Sequence, residues 1–307
     1  MARWAVAGAT GLVGTRLVER LRARGDEVVR LVRRNPSGAD DRAWDPGSEP
    51  GEDLLEGIDG VLNLAGSSIA SGLWTAAGRR EVRESRLRAT RNLVRACERA
   101  GTPVLVNASA VGYYGDRGDE FLDESSLPGN GFLAEVCGAW EAAASPAGTR
   151  LVKVRFGSIL SPRGGALEPL RSLYRLGLGG PIGGGRQWFP WIDLEDATGI
   201  VMQALDDDDL SGPLVAVSPG LVRQAEFARE LGRSLHRPAR APLPALLVRA
   251  LPGPLPRTSA VEPEVRLARP GAGGLPLGAP RPARGAGTDQ RDLRRASISR
   301  SIRSGSS

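Results

Sequence analysis

The chain has 307 residues, 41% hydrophobic and 25% charged, enough for one large α/β unit or two domains of about 150 residues and too apolar for a disordered chain. Its net charge of +6 resides in residues 252–307, where ten arginines face four acidic residues; the other 251 residues hold 31 of each sign, which speaks against a nucleic-acid surface. Two cysteines, one histidine and the lack of any apolar run near ~18 residues exclude a disulfide scaffold, a histidine-based triad, a multi-histidine metal site and a membrane span. The chain enters strand-like sequence at once, at Arg3–Ala7, with no charged-then-apolar leader, so a cytoplasmic location is expected. Further strands are expected at Glu27–Arg33, Gly60–Leu64, Pro103–Ser109 and Leu151–Phe156, with helices between them at Leu12–Arg24, Ala77–Ala100 and Gly131–Ala144. In the long helix Val82, Leu87, Leu93, Val94 and Cys97 form a broad apolar stripe, and at ~100° per residue Arg86 falls inside it. This alternation predicts an α/β fold, a doubly wound parallel sheet with helices on both faces.

Beyond Phe156 the pattern loosens into glycine-rich loops (164–165 and 177–185), with helices expected at Asp193–Leu205 and Gln224–Leu235. We therefore divide the chain into an α/β domain over 1–157, a smaller C-terminal lobe over 158–251, some of whose elements return to the sheet, and a tail over 252–307. Eight prolines in the 56 tail residues, and no sustained period, predict disorder there.

The first strand runs into Gly8-Ala-Thr10-Gly11-Leu12-Val13-Gly14 at the start of the first helix. Glycines so spaced let a backbone approach a pyrophosphate, whose charge suits a helix N-terminus. NAD sites place an acid about 20 residues further on. Here the second strand ends Val32-Arg33-Arg34, without one. A guanidinium there suits a 2′-phosphate, so NADP(H) is favoured over NAD; the alternative is two exposed arginines on an edge. The buried strand 59–66 ends in small residues, so that adenosine or ribose can lie against the Leu64-Ala65-Gly66 backbone.

These pieces resemble the extended short-chain dehydrogenase/reductase superfamily. The strings Asn63–Ala70, Ser109–Glu120, Trp140–Ala144, Leu176–Pro181 and Gly185–Ile192 are similar to its atypical "epimerase family" branch, whose bacterial members include proteins labelled cell-division inhibitors. The resemblance spans residues 3 to about 251 and implies a Rossmann fold and NADP(H) binding. It places cofactor contacts at the Gly8–Gly14 turn, Arg33, Leu64 and Ala65, adds Glu81 and Arg86 on the long helix, and sets Ile159 near the nicotinamide. The tail departs from the family pattern, as a reading-frame shift near Pro252 would make it do.

Typical short-chain reductases pair a Ser with Tyr-x-x-x-Lys, the lysine tuning the tyrosine for proton relay. Here tyrosines stand only at 113, 114 and 174 and the single lysine at 153; the family's Tyr and Lys positions fall on Leu133 and Cys137. Substitute catalytic candidates are Ser109, at the carboxyl edge of its strand, and Tyr113 or Tyr114 in the next loop. Cys137 reads as a small buried residue, and Glu135 and Glu141 as solvent-facing or helix-pairing. Arg186, Gln187, Trp188 and Trp191 read equally as a substrate pocket, with Arg186 holding an anionic or carbonyl group, or as lobe packing. Asp196 reads as a helix-start residue. No metal is expected. Two functions follow: an NADP(H)-dependent oxidoreductase or epimerase-like protein for a small carbonyl or hydroxyl substrate, or a catalytically weak NADP(H)-sensing regulator. Expected partners are that small molecule and, as one option, a second copy of the chain in a homodimer, with neither nucleic acid nor membrane.

Overall fold

The computed structural model describes residues 1–33, 36, 38, 40–67, 75–165, 167–219, 221–239, 242 and 266–267. Strand Arg3–Ala7 (β1) is central, with Ala5, Val6 and Ala7 wholly buried. Helix Leu12–Ala23 (α1) packs Leu17, Val18 and Leu21 inward at helical spacing and carries Arg20 and Arg22 in its last turn, where the helix dipole favours cations. Strands Glu27–Val32 (β2) and Asp41–Ala43 (β3) extend the sheet on one side of β1; Gly60–Asn63 (β4) pairs on its other side.

Helix Ala76–Ala100 (α2) starts at Thr75, whose hydroxyl accepts from the Gly78 amide at 2.9 Å, and stops at Gly101, whose φ of 62° suits a residue without Cβ. The whole predicted stripe is buried, and so is Arg86. Strand Val104–Ala110 (β5) then leads into a 3-10 turn at Val111–Tyr114 and the short strand Phe121–Leu122 (β6). Helix Phe132–Ala143 (α3) returns the chain to strand Arg150–Phe156 (β7).

The remainder runs through strands Ser158–Ser161 (β8) and Gly164–Gly165 (β9), helix Leu167–Arg175 (α4) and strands Trp188–Phe189 (β10) and Trp191–Asp193 (β11). Helix Leu194–Asp206 (α5), strands Gly212–Ala216 (β12) and Val222–Arg223 (β13) and helix Gln224–Ser234 (α6) follow. The seven-stranded sheet has the order β12-β7-β5-β4-β1-β2-β3, and every adjacent pair is parallel. This is the doubly wound Rossmann-type order, with its reversal between β1 and β4. One core lies under α1 and α5, a second under α2 on the opposite face.

Two elements beyond residue 157 rejoin the first unit. Strand β12 pairs with β7 over five residues, and α5 lies on α1, where the Arg16 guanidinium meets Glu195 at 2.7 Å. What remains, chiefly α4, β10, β13 and α6, closes on its own core around Leu160, Tyr174, Ile182, Trp191 and Phe227. Of the 252–307 tail, only Arg266–Leu267 (β14) lies within the described residues, in parallel with β6; the rest, like Arg34 and residues 68–74, lies outside them. Among the described residues no helix is long and apolar enough to cross a membrane.

Candidate functional site

The loops after β1, β4 and β5 meet at the carboxyl edge of the sheet. Gly8, at φ 81°, brings β1 against β4 backbone to backbone: a Cβ there would lie 2.7 Å from the Leu64 carbonyl carbon and oxygen. Gly14 is needed because α1 lies directly on this turn, where a Cβ would strike the Gly8 carbonyl oxygen. Gly11 is different. A Cβ on it would meet only the Gly8 oxygen, at 3.3 Å, and it caps α1 with no side-chain hydrogen bond. The first-turn amides of α1 are thereby left to water or a ligand, which is the arrangement an anion uses. Thr10 and Gly11 are exposed, and Leu12 and Val13 half-buried. The β8–β9 hairpin reaches the same place: a Cβ on Gly165 would lie 2.8 Å from the Leu12 side chain and 3.3 Å from the Ile159 carbonyl oxygen.

At the tip of β2, Val32 is half-buried and Arg33 exposed. The Asp45 carboxyl sits below its ordinary range because the Gly47 amide and Ser48 hydroxyl donate to it, with the charges of Arg33 and Arg88 adding to the effect. Arg33, exposed at the end of β2, thus lies close enough to Asp45 for its charge to act there. Leu64 and Ala65 are half-buried and Gly66 exposed, and a Cβ on Gly66 would lie 3.2 Å from the Arg86 guanidinium carbon. Arg86 itself is 7% exposed, with its guanidinium 5.1 Å from the Trp140 ring centre. Its one hydrogen bond among the described residues goes to the Val82 carbonyl on its own helix, and burial lowers its pKa. A guanidinium so desolvated, and without a carboxylate partner among the described residues, suits an anionic or carbonyl ligand. Glu81 is not grouped with it: the carboxylate is exposed and pairs with Arg88, on the same helix, at 3.5 Å.

The catalytic candidates are arranged differently from expectation. Glu141 does not face solvent. It is 5% exposed, accepts from the Ser109 hydroxyl at 2.7 Å and binds Arg155 through both carboxylate oxygens at 2.9 Å each. Ser109 and Arg155 are register partners on β5 and β7, so one carboxylate from α3 ties the two strands together. Tyr114 is fully buried; its hydroxyl donates to the Asp123 carbonyl and accepts from Arg155, and burial pushes its pKa up to about 12. It holds the loop in place and has no surface to offer a substrate, which corrects its reading as a proton donor. Tyr113 is half-buried, edge-on to Tyr114 and face-on to Arg155, whose guanidinium carbon is 3.6 Å from the ring centre. Its hydroxyl has no protein partner among the described residues. Burial works against the charge of Arg155, but the bonds to Glu141 and Tyr114 outweigh it and hold its pKa above the usual value. Cys137 is buried and its thiol pushed up to about 12 by desolvation, so it behaves as the small apolar residue expected.

The four residues read as a pocket or as packing divide. Trp191 is 1% exposed and belongs to the lobe core. Gln187 braces its own loop, its side chain donating to the Ile182 carbonyl at 3.1 Å. Arg186 is exposed, and its carbonyl accepts from Arg223 at 2.6 Å. Trp188 is half-buried, with its indole N–H donating to Asp119 at 2.7 Å. Asp193 caps α5, accepting from the Glu195 amide at 2.8 Å, and Asp196 stands in the first turn, at the helix start expected of it. Sequence reasoning missed Glu141, Arg155 and Arg223. The first two left a signal: Glu141 stands four and seven residues after the apolar positions Cys137 and Ala134, and Arg155 sits within an apolar central strand.

A parallel sheet of this order, with an uncapped glycine turn at its point of reversal, defines a Rossmann-type nucleotide-binding protein. Residues 4–215 match the model of the NAD dependent epimerase/dehydratase family, and the chain belongs to that family. It is 42% identical over 252 residues to Epimerase family protein Mb2239 of Mycobacterium bovis, covering 80% of this chain and 83% of that one. Epimerase family protein SDR39U1 of Bos taurus is 43% identical over 256 residues, covering 81% and 85%. The crystal structure of human epimerase family protein SDR39U1 with NADPH superposes with a TM-score of 0.77 at 36% identity, covering 86% of this chain and 90% of that chain.

Proposed function

We propose that the protein is an NADP(H)-dependent oxidoreductase acting on a small carbonyl or hydroxyl substrate in the cytoplasm, as a monomer or homodimer. The observation that carries this reading is the pairing of an uncapped α1 N-terminus at Gly11 with an exposed Arg33 at the tip of β2, a strand that itself ends without an acidic residue. The NADPH bound to the human relative supports it. In this reading the amides of Leu12, Val13 and Gly14 hold the diphosphate, and Arg33 holds the 2′-phosphate. The Leu64–Gly66 edge lies under the adenosine, Arg86 supplies a buried cation, and Ile159 borders the nicotinamide. The bound cofactor supplies or accepts the hydride. In the reducing direction Tyr113 donates the proton, and in the oxidising direction it accepts it, because its hydroxyl is the candidate one without a protein partner among the described residues. Ser109, its hydroxyl hydrogen given to Glu141, offers lone pairs.

The test is titration of the folded protein with NADPH and NADH. One charge-assisted phosphate contact gives an expected preference of about tenfold or more for NADPH. Preference for NADH, or binding of neither, overturns the reading. A second reading, a nucleotide-sensing regulator with little turnover, is favoured by the inward commitment of Ser109 and Tyr114. Turnover on a carbonyl panel that is abolished by Tyr113→Phe defeats it; bound NADPH that no carbonyl oxidises defeats the oxidoreductase.

A further inference from the structure

Trp188 and Arg223 face each other across the antiparallel β10–β13 pair. The Trp188 indole N–H, at 2.7 Å, and the Arg223 Nη2, at 2.5 Å, converge on one oxygen, Oδ1 of Asp119. Asp119 comes from the loop that follows the Tyr113–Tyr114 turn at the carboxyl edge of the sheet, 69 residues from Trp188 and 104 from Arg223. Both donors have contacts besides Asp119. The Arg223 guanidinium lies 3.9 Å from the centre of the Trp188 ring, and its Nη1 donates to the Arg186 carbonyl at 2.6 Å. Stacked and anchored, the guanidinium keeps its remaining edge aimed where the indole N–H also points. Two such donors meeting at one point form a preorganised site for a single oxyanion oxygen.

Asp119 is an easily displaced occupant. Its side chain is 67% exposed, on a loop, and an exposed ion pair is held only weakly against water. We infer that the Trp188–Arg223 pair is an oxyanion subsite for the substrate, a carboxylate or phosphate group, and that the Asp119 carboxylate is its built-in placeholder, exchanged for the ligand's anion on binding. Asp119 then has two effects: it keeps the lobe drawn toward the sheet-edge loop when the crevice is empty, and it screens out neutral molecules, which cannot replace a carboxylate on these donors. The substrate is thereby narrowed to small carbonyl or hydroxyl compounds bearing an anionic group remote from the reacting carbon. That last step rests on the oxidoreductase reading, whereas the anion site itself does not.

Indole N–H resonances of 15N-labelled full-length protein report on the site, and the Trp188→Phe variant identifies which of the six tryptophan signals belongs to Trp188. Acetate and inorganic phosphate, titrated separately at constant ionic strength, serve as probes and distinguish the carboxylate from the phosphate source. In Asp119→Ala, an exposed loop change that leaves the cores untouched, the Trp188 signal is expected to shift saturably with one or both anions. Half-saturation should fall at least about threefold below wild type, the size of the competing surface ion pair. Arg223→Gln in the same background should abolish the shift. No response in Asp119→Ala, or one that survives Arg223→Gln, overturns the inference. NADPH titration of the same samples fails or succeeds separately, so loss of the cofactor reading and loss of the anion site are told apart.

Discussion

At the scale of single residues, the buried Glu141–Arg155 pair organises the carboxyl edge of the sheet. Two charges taken out of water stabilise only while they remain paired, and removing one strands the other. Arg155 also bonds the Tyr114 hydroxyl and the Glu124 carbonyl and lies against the Tyr113 ring, so its charge is shared by four neighbours, Glu141 included. Glu141→Gln is expected to destabilise the fold by about 3–5 kcal/mol, measured by urea unfolding, because glutamine leaves the guanidinium without its counter-charge. Arg155→Lys should recover little, since an ammonium cannot bond both carboxylate oxygens in a planar fork. A loss under about 1 kcal/mol for Glu141→Gln would show that water already screens the pair. The sequence held the clue to Glu141 in its phase with Ala134 and Cys137. It gave none to Arg223, whose importance depends on Asp119 and Trp188 arriving from distant parts of the chain.

At the scale of elements, long segments with strong periods were legible and short ones were not. The five strands and three helices of the first half match the structure to within a residue or two, because the helices bury an apolar set at spacing 3.6 and the central strands are short, nearly continuous apolar runs covered on both faces. Strand β3 escaped notice as three residues, two of them charged, that need only pair along the edge of β2. Helix α4 was hidden by Pro169, yet a proline in the first turn gives up an amide that has no helical partner anyway. Strand β12, with Gly212 and Pro213 at its start, gains its place from β7. The junction of β7 with α5 shows such tertiary dependence most clearly. Arg150, at the head of β7, donates to the carbonyls of Ala204, Leu205 and Leu210 at 2.9 to 3.0 Å, closing the C-terminal end of α5 and the turn into β12. Those carbonyls have no helical donor of their own, and a cation there also suits the dipole. Arg150→Met is expected to cost about 1–3 kcal/mol in chemical unfolding, with hydrogen exchange accelerating first in residues 203–210. An unchanged midpoint would mean that water replaces the guanidinium at all three acceptors.

At the scale of the whole molecule, the glycine turn is wired into both ends of the chain's folded part. Helix α1 bears the proposed diphosphate site at its N-terminus, and its outer face is clamped by α5 through Arg16 with Glu195, Arg20 with the Glu195 carbonyl and Arg24 with Asp206. The hairpin that opens the second lobe rests on Leu12. A ligand seated on the turn therefore touches the sheet, α1 and the lobe together, and should raise the stability of one cooperative unit, not of a local loop. At a hundredfold excess over its dissociation constant a ligand that binds only the folded state adds about 2.7 kcal/mol. For a folded unit of this size that converts to a rise in Tm of about 5–10 °C, since each kcal/mol moves the midpoint by ~2–4 °C. NADH at the same concentration lacks the group that Arg33 is proposed to grip, and should raise Tm by several degrees less. Arg33→Ala should lower the NADPH shift toward that of NADH while leaving the ligand-free Tm unchanged, because the side chain is exposed and bonds no protein group among the described residues. Equal shifts for the two cofactors, or an NADPH excess that survives Arg33→Ala in differential scanning fluorimetry, would remove Arg33 from the site and leave the 2′-phosphate to another cation.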